Sequence, residues 1–394
     1  MITVTQAKEL IARHSPTAEP VRMPLSEAAG LVLAEDVLSP LDIPAYPQAS
    51  MDGYAFNFEG YRTYGQLEMA GVVAAGSDAE PVLQPDQAMR IFTGAAVPEG
   101  ADTIVIQEKS GVREGKLWIE DDQLQKGLNV RPRGSEISTG ELALPKGSRL
   151  SPAAIGFLTG IGLTSVSVYP PPSVCIIVTG NELQDPGQPL KHGQVYESNS
   201  HTLRAVLAPL HITRITVDRS ADSLETLTEV LGKAVSEHDM VMLNGGISVG
   251  DYDYVLKATE LCGIDKIFHK IKQKPGKPIY FGTKGRKLVF GLPGNPASVL
   301  TCFYEYVTVA LEKLYHARPV IQRITAPLAQ PFKKPAGLTH FLKGYYDGSS
   351  VLPLDAQESY RLSSFARANC LVVIEEDITY CNQGELVEIH LLPV

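Results

Sequence analysis

The sequence predicts an α/β multidomain protein, with one doubly wound, mostly parallel α/β domain and small β-rich domains beside it. Three observations lead there. The chain has 394 residues, too many for one ordinary core and enough for two to four domains. Between residues 173 and 316, apolar strand patterns alternate with helical ones, which is the signature of βαβ units. The 34 Gly and 28 Pro imply many turns, and hence many short elements.

In chain order, residues 1–46 predict two short helices and an extended stretch. The opening MITVTQAKELIARH has the pattern of a polar amphipathic helix without an apolar signal core. Gly30 is expected to end the second helix, and the prolines of SPLDIPAYP then break regularity. From Met51 to about Val130, the segments EMAGVVAAG, AMRIFTG, DTIVIQ and KLWIE predict a small β-rich domain. LSPAAIGFLTGIG predicts a helix with Ser151 as N-cap, Pro152 in the first turn and Gly160 or Gly162 at its end.

The alternation follows. SVCIIVTG, ITRITVD, DMVMLNGG and KLVFGLPG are its strands. The helices between and after them are SNSHTLRAVLAPL, capped by Ser198 or Asn199, a second opening near Asp222, DYDYVLKATELCG, and the long PASVLTCFYEYVTVALEKLYH. After Pro319, THFLKGYY, SVLPL, CLVVIEED and ELVEIHLL predict a small all-β domain. The expected domains are 1–46 with 131–166, then 47–130, 167–317 and 318–394.

Composition narrows the function. Hydrophobic residues at 44% and charged residues at 20% fit a packed globular chain. A net charge of −9 argues against nucleic acid or an anionic membrane as partner, and no stretch has membrane-spanning length. The five cysteines are scattered without a CxxC, as expected of reduced, mostly buried thiols in a cytoplasmic protein.

Ligands of doubly wound sheets sit at the carboxyl ends of the strands. There the sequence places Glu182 in TGNEL, Asp218 with Asp222 after the second strand, and GLPGNP with Pro293, Gly294 and Asn295. NGGISVGDYD gathers Gly245, Gly246, Ser248, Gly250, Asp251 and Asp253. Glycines let backbone N–H groups approach a phosphate, and helix N-termini favour it. Carboxylates without His or Cys favour a hard cation, with Mg²⁺ shared with phosphate the best fit. Asp222 alone could equally be an N-cap.

A basic cluster, FHKIKQKPGKP, carries Lys270, Lys272, Lys274 and Lys277, with Lys266 just before. On a continuous strand, Lys270, Lys272 and Lys274 would share a face. They fit either a lysine-protected edge strand or an oxyanion site. In the small domain, Asp52 and Thr93 each sit in a turn, where Asp52 by spacing alone is an ordinary turn residue. His201, His211, His238 and His269 fit polar surface or capping roles. No Ser-His-Asp or Cys-His set, HExxH or Walker loop is present.

Taken together, MDGYA, TGA..P.GADT, TG.EL, GG.SVG..D, KPGKP, GLPGNP and the late Ala368-Asn369 pair resemble the molybdopterin molybdenumtransferases, in family order along the whole chain. The α/β motifs alone are shared with molybdopterin adenylyltransferases. The resemblance implies an elongated four-domain subunit and a homodimer in molybdenum cofactor biosynthesis, possible contacts with other proteins of that route, and a site shared by the two subunits. The implied substrates are adenylyl-molybdopterin and molybdate, with Mg²⁺ as cofactor and AMP as product. It implies Asp52, Thr93, Glu182, Asp222, Asp253, Lys270 and Lys274 as catalytic residues, and Glu182, Asp222 and Asp253 as the metal set. Substrate binding would fall to Gly245, Gly246, Ser248, Gly250, Lys277, Pro293, Gly294, Asn295, Ser359, Glu136 and Lys343. The family often has Asp at Glu136, Arg at Lys343 and Asp at Asn181, so bidentate anion contact is lost at Lys343. A non-catalytic pterin-binding scaffold and an adenylyltransferase are the competing expectations.

Overall fold

Every side chain of strand β1 (Val174–Thr179) is buried, as befits a strand covered on both faces. In the computed structural model, which describes residues 1–247, 254–316 and 319–393, β1 lies inside a six-stranded sheet. Its companions are β2 (Ile215–Ser220), β3 (Met240–Asn244), β4 (Asp265–His269), β5 (Tyr280–Lys284) and β6 (Lys287–Leu292), in the order β2-β1-β3-β6-β5-β4. The first four are parallel, as the sequence predicts. β5 and β4 add an antiparallel edge that the alternation did not reveal.

Helices cover both faces. Val174, Ile176 and Val178 of β1 point to one core, with Leu203 of α2 (Asn199–Leu207) and Val299 of α5 (Pro296–Cys302). Cys175 and Ile177 point to the other, with Leu227 of α3 (Leu224–Glu237) and Val255 of α4 (Tyr254–Leu261). This two-residue alternation is what a pleated strand dictates. The long helix after GLPGNP is present: α5 runs through a π-helical turn, Phe303–Val307, into α6 (Thr308–Leu314).

The chain forms two compact units. One contains Met1–Arg22, Gly30–Ala34 and Ser167–Val394, and the other Met23–Ala29 with Glu35–Val166. In the first, α1 (Val4–His14) opens with a Thr3–Gln6 capping box and buries Ala7 and Ile11. Five C-terminal strands of that unit, joined by Gln273–Lys274, form a second six-stranded sheet, centred on Thr339–Tyr346 and Cys370–Ile374.

The second unit holds a six-stranded sheet containing all four expected strands. Its most surprising member is Gly53–Phe56: the MDGYA motif enters a buried strand. A Cβ on Gly53 would lie 1.9 Å from the carbonyl oxygen of Val105, which explains the glycine. The Pro152–Gly160 helix has the expected Ser151 cap. A second helix before Gly30 does not form; residues 25–29 make turns, because so few residues between Pro24 and Gly30 cannot offset helix nucleation. All five cysteines are free and buried, and burial pushes the Cys175 thiol up to about 11.

Glu305 is among several charged residues buried in the described part of the chain, at 2% exposure. Glu305, on the π-helical turn, accepts from Lys8 Nζ at 2.5 Å and meets His390 Nδ1 at 2.6 Å, while His390 Nε2 meets Glu388 at 2.7 Å. Burial alone would raise the Glu305 pKa, but Lys8 and His390 outweigh it and hold it below 4.5. A depressed carboxylate stabilises the fold above its unfolded pKa and loses that contribution as pH falls. Glu305→Ala strands Lys8 and should cost about 3–5 kcal/mol in urea unfolding at neutral pH. Below pH 4.5 the difference between wild type and Glu305→Ala should shrink. A pH-independent difference would contradict this role.

Candidate functional site

The carboxyl ends of β1, β3 and β6 open into a cavity of about 1110 Å³. Three helices begin in its wall, at Ser198 and Asn199 for α2, Asp222 and Ser223 for α3, and Asn295 and Pro296 for α5. Each turns the positive end of its dipole towards the cavity, while Ser200 N, Thr226 N and Ala297 N are already bonded to Glu197, Ser223 and Ser359. A cavity so framed accepts an anion.

Two exposed carboxylates share this wall, Glu182 and Asp222. The side chain of Glu182 folds back over Gly180, where an added Cβ would stand 2.8 Å from its carboxylate oxygens. Asp222 accepts from the backbone N–H of Asn181 at 3.2 Å, which ties the loops after β1 and β2 together. It is not the cap of α3, since Ser223 takes that place and accepts from Thr226 N. Asp218 lies within β2, facing the Cys175 thiol at 3.7 Å, and does not line the cavity.

Gly245 and Gly246 leave β3 with φ of +90° and +68°. A Cβ on Gly245 would lie 2.7 Å from the Thr179 carbonyl oxygen, so only glycine fits between the ends of β1 and β3. Pro293, Gly294 and Asn295 complete this side of the wall. Asn295 Nδ2 donates to Ser359 Oγ at 3.0 Å, and Ala297 N donates to the Ser359 carbonyl at 3.0 Å, so Ser359 sits over the start of α5. Ser248, Gly250, Asp251 and Asp253 lie outside the described residues.

The lysines do not share a strand face. β4 ends at His269, and Lys270 turns away with φ +70°. Lys270 and Lys277 line the cavity. Lys272 instead pairs with Glu376 at 3.5 Å, and Gln273–Lys274 joins the C-terminal sheet beside Thr339–His340, which carries Lys274 away from the wall. Alternation failed here because the segment folds as a loop between two sheets.

Lys343 also departs from its expected role. It is 3% exposed, and its ammonium donates to the carbonyls of Ala356 (2.6 Å), Arg361 (3.0 Å) and Glu358 (3.3 Å). All three protons have acceptors, so none is left for an anion.

In the other unit, Asp52 accepts from both the amide and the hydroxyl of Thr93 at 2.7 Å. Those two bonds hold its carboxyl below the usual carboxylate range. Arg90 lies nearby, 5.1 Å from the centres of both the Tyr54 and Phe92 rings. Glu136 is exposed.

Sequence reasoning missed two asparagines in the cavity wall. Asn199 Nδ2 donates to Asn244 Oδ1 (3.1 Å) and to the Gly294 carbonyl (2.8 Å). That leaves Asn244 Nδ2 and Asn199 Oδ1 buried without partners, a donor and an acceptor free for a polar ligand. Tyr360 was missed as well. Only the position of NGG at a strand end pointed towards Asn244; Asn199 was marked only as a candidate helix cap, and nothing local marked Tyr360. Among the described residues no three His, Cys, Asp or Glu side chains converge as a metal-ligating group. No helix among them is long and apolar enough to cross a membrane.

Fold and site together define a multidomain α/β protein with an acid- and lysine-lined anion cavity at the carboxyl ends of a mostly parallel sheet. Residues 2–162 match the MoeA N-terminal region (domain I and II), 175–313 a probable molybdopterin binding domain, and 325–392 the MoeA C-terminal region (domain IV). The molybdopterin molybdenumtransferase of Haemophilus influenzae is 31% identical over 404 residues, spanning 100% of both chains. That of Staphylococcus aureus strain MRSA252 is 30% identical over 400 residues, covering 99% of this chain and 95% of the relative. A crystal structure of the molybdopterin biosynthesis MoeA protein from Pyrococcus horikoshii superposes with a TM-score of 0.79 at 28% identity, covering 99% of this chain and 100% of that one. The chain belongs to the molybdopterin molybdenumtransferase family, a transferase family of molybdenum cofactor biosynthesis.

Proposed function

We propose that this chain inserts molybdenum from molybdate into adenylylated molybdopterin and releases AMP. One observation carries the reading: Glu182, Asp222, Lys270 and Lys277 meet three helix N-termini in a single cavity. The names of the full-length relatives support the same substrate class.

The bond to be broken lies in the phosphoanhydride of adenylylated molybdopterin. Its phosphates carry charge that must be offset before water can attack phosphorus. Helix N-termini and the two lysines supply that field, while Gly245, Gly246 and Gly294 let the ligand approach the backbone. Glu182 and Asp222 orient water or hold a cation, and Asp253 is assigned to the same acid set. Two carboxylates with substrate phosphates suit Mg²⁺, which usually keeps several waters and needs no all-protein cage. When bound, the ion would neutralise phosphate charge as the P–O bond breaks. Asn244 and Asn199 offer their free donor and acceptor to a heterocycle edge.

The proposal includes a cytoplasmic homodimer in which a second copy contributes Asp52 and Thr93; a native mass of one chain would contradict it. It also keeps the four-domain division 1–46 with 131–166, 47–130, 167–317 and 318–394. The test of function is AMP release from adenylyl-molybdopterin with and without molybdate. Binding without release would favour a non-catalytic pterin carrier.

A further inference from the structure

The segment that brings Ser359 and Tyr360 to the cavity has little regular structure of its own between Val351–Pro353 and the short helix Leu362–Phe365. Ala356, inside it, has φ +59°, which an alanine adopts only under constraint. The constraint is visible. Lys343, in the middle of the C-terminal sheet strand Thr339–Tyr346, reaches from below and bonds the carbonyls of Ala356, Glu358 and Arg361. Gln357 closes the loop from the other direction: its Oε1 accepts from Lys343 N at 3.0 Å, and its Nε2 donates to the Lys343 carbonyl at 2.8 Å and to the Leu354 carbonyl at 2.7 Å. Ser364 Oγ adds a bond to the Ala356 carbonyl at 2.8 Å.

We propose that Lys343 is a positioning residue, whose buried ammonium holds segment 354–361 so that Ser359 and Tyr360 form one wall of the nucleotide-binding cavity. The ammonium replaces the contacts the loop carbonyls would otherwise make with water, and it does so from a rigid strand. Lys343 therefore acts on a ligand only through Ser359 and Tyr360. This reading of Lys343 rests on the cavity being an adenylate site, and the experiment separates the two.

The probe is AMP, titrated by calorimetry into the full chain, with amide hydrogen exchange measured over residues 354–361. Hydrogen bonds to a charged group are among the stronger ones in a protein, so loosening the strap has a measurable effect. Lys343→Met should speed exchange in 354–361 at least about tenfold and weaken AMP by about tenfold. In turnover, KM should rise while kcat changes little, because the reacting atoms are untouched. In a Ser359→Ala/Tyr360→Ala background, Lys343→Met should add less than about twofold, as coupled residues are non-additive. Gln357→Ala loosens the same segment by different bonds and should reproduce the effect more weakly; it also serves if Lys343→Met does not fold. Unchanged exchange in a folded Lys343→Met protein would overturn the proposal, and so would AMP effects that simply multiply with those of Ser359→Ala/Tyr360→Ala. Failure of the wild type to bind AMP would sink the adenylate reading and with it the ligand role of Lys343, while exchange would still decide whether the strap exists.

Discussion

Glu182→Gln and Asp222→Asn should each lower AMP release by about 100- to 1000-fold, with much smaller losses of substrate affinity. Each change removes one negative charge and keeps the shape. Asp222→Asn can still accept from Asn181 N through its amide oxygen, so the link between the loops after β1 and β2 survives. What disappears is the charge that holds a cation or orients water beside the phosphates. Both side chains are exposed in the cavity wall, so neither substitution leaves a buried vacancy and the fold should be unharmed. Raising Mg²⁺ should recover part of the lost rate if these oxygens hold the ion, because weaker binding is offset by concentration. Near-normal AMP release by both variants, at limiting Mg²⁺, would remove the carboxylates from the mechanism.

Gly245→Val should be the most damaging change in the glycine loop. A residue with a branched side chain at φ +90° carries about 1–3 kcal/mol of backbone strain. Its Cβ would also overlap the Thr179 carbonyl at 2.7 Å and the Thr179 hydroxyl at 2.9 Å, both on the neighbouring strand end. The two strand ends would have to move apart, and a shift of about 1 Å in such a site can cost about 100-fold in rate. AMP release should fall by at least that factor and the urea midpoint should drop. Gly294→Ala is the contrast. Its Cβ would meet nothing closer than Gly245 Cα at 3.7 Å, an ordinary contact, so stability should change little. Equal damage from both would show that packing around Thr179 is not the cause.

Much of this was legible in the sequence, for reasons that differ between residues. The three central parallel strands β1, β3 and β6 announce themselves because strands covered on both faces are continuous apolar runs, whereas the half-buried edge strand β2 is marked only by its place in the alternation; the strand ends gave the region of the cavity. Asp222 and Asp218 could not be separated from the sequence, since the choice depends on where β2 stops. With β2 ending at Ser220, Asp218 lies mid-strand and Asp222 reaches the wall. The lysines misled for a related reason. A period-two pattern assumes a strand, but Lys270 has positive φ and Gln273–Lys274 pairs with a different sheet. Lys343 and Ser359 depend on partners 13 to 18 residues away, or further, and no local pattern encodes such a strap. The MDGYA motif looked like a turn because Asp-Gly usually makes one, whereas here Gly53 is required by the carbonyl of Val105 in the adjoining strand.

In the proposed function, one cavity couples release of AMP to capture of molybdenum. It is tested most directly by measuring both in the same reaction: AMP released, and molybdenum bound to the pterin product, from purified adenylyl-molybdopterin with a molybdate titration. The expected result is a molybdate-dependent burst of AMP matched by an equal amount of pterin-bound molybdenum, and loss of both in Asp222→Asn. AMP released at the same rate without molybdate, or AMP release with no molybdenum in the pterin product, would contradict it.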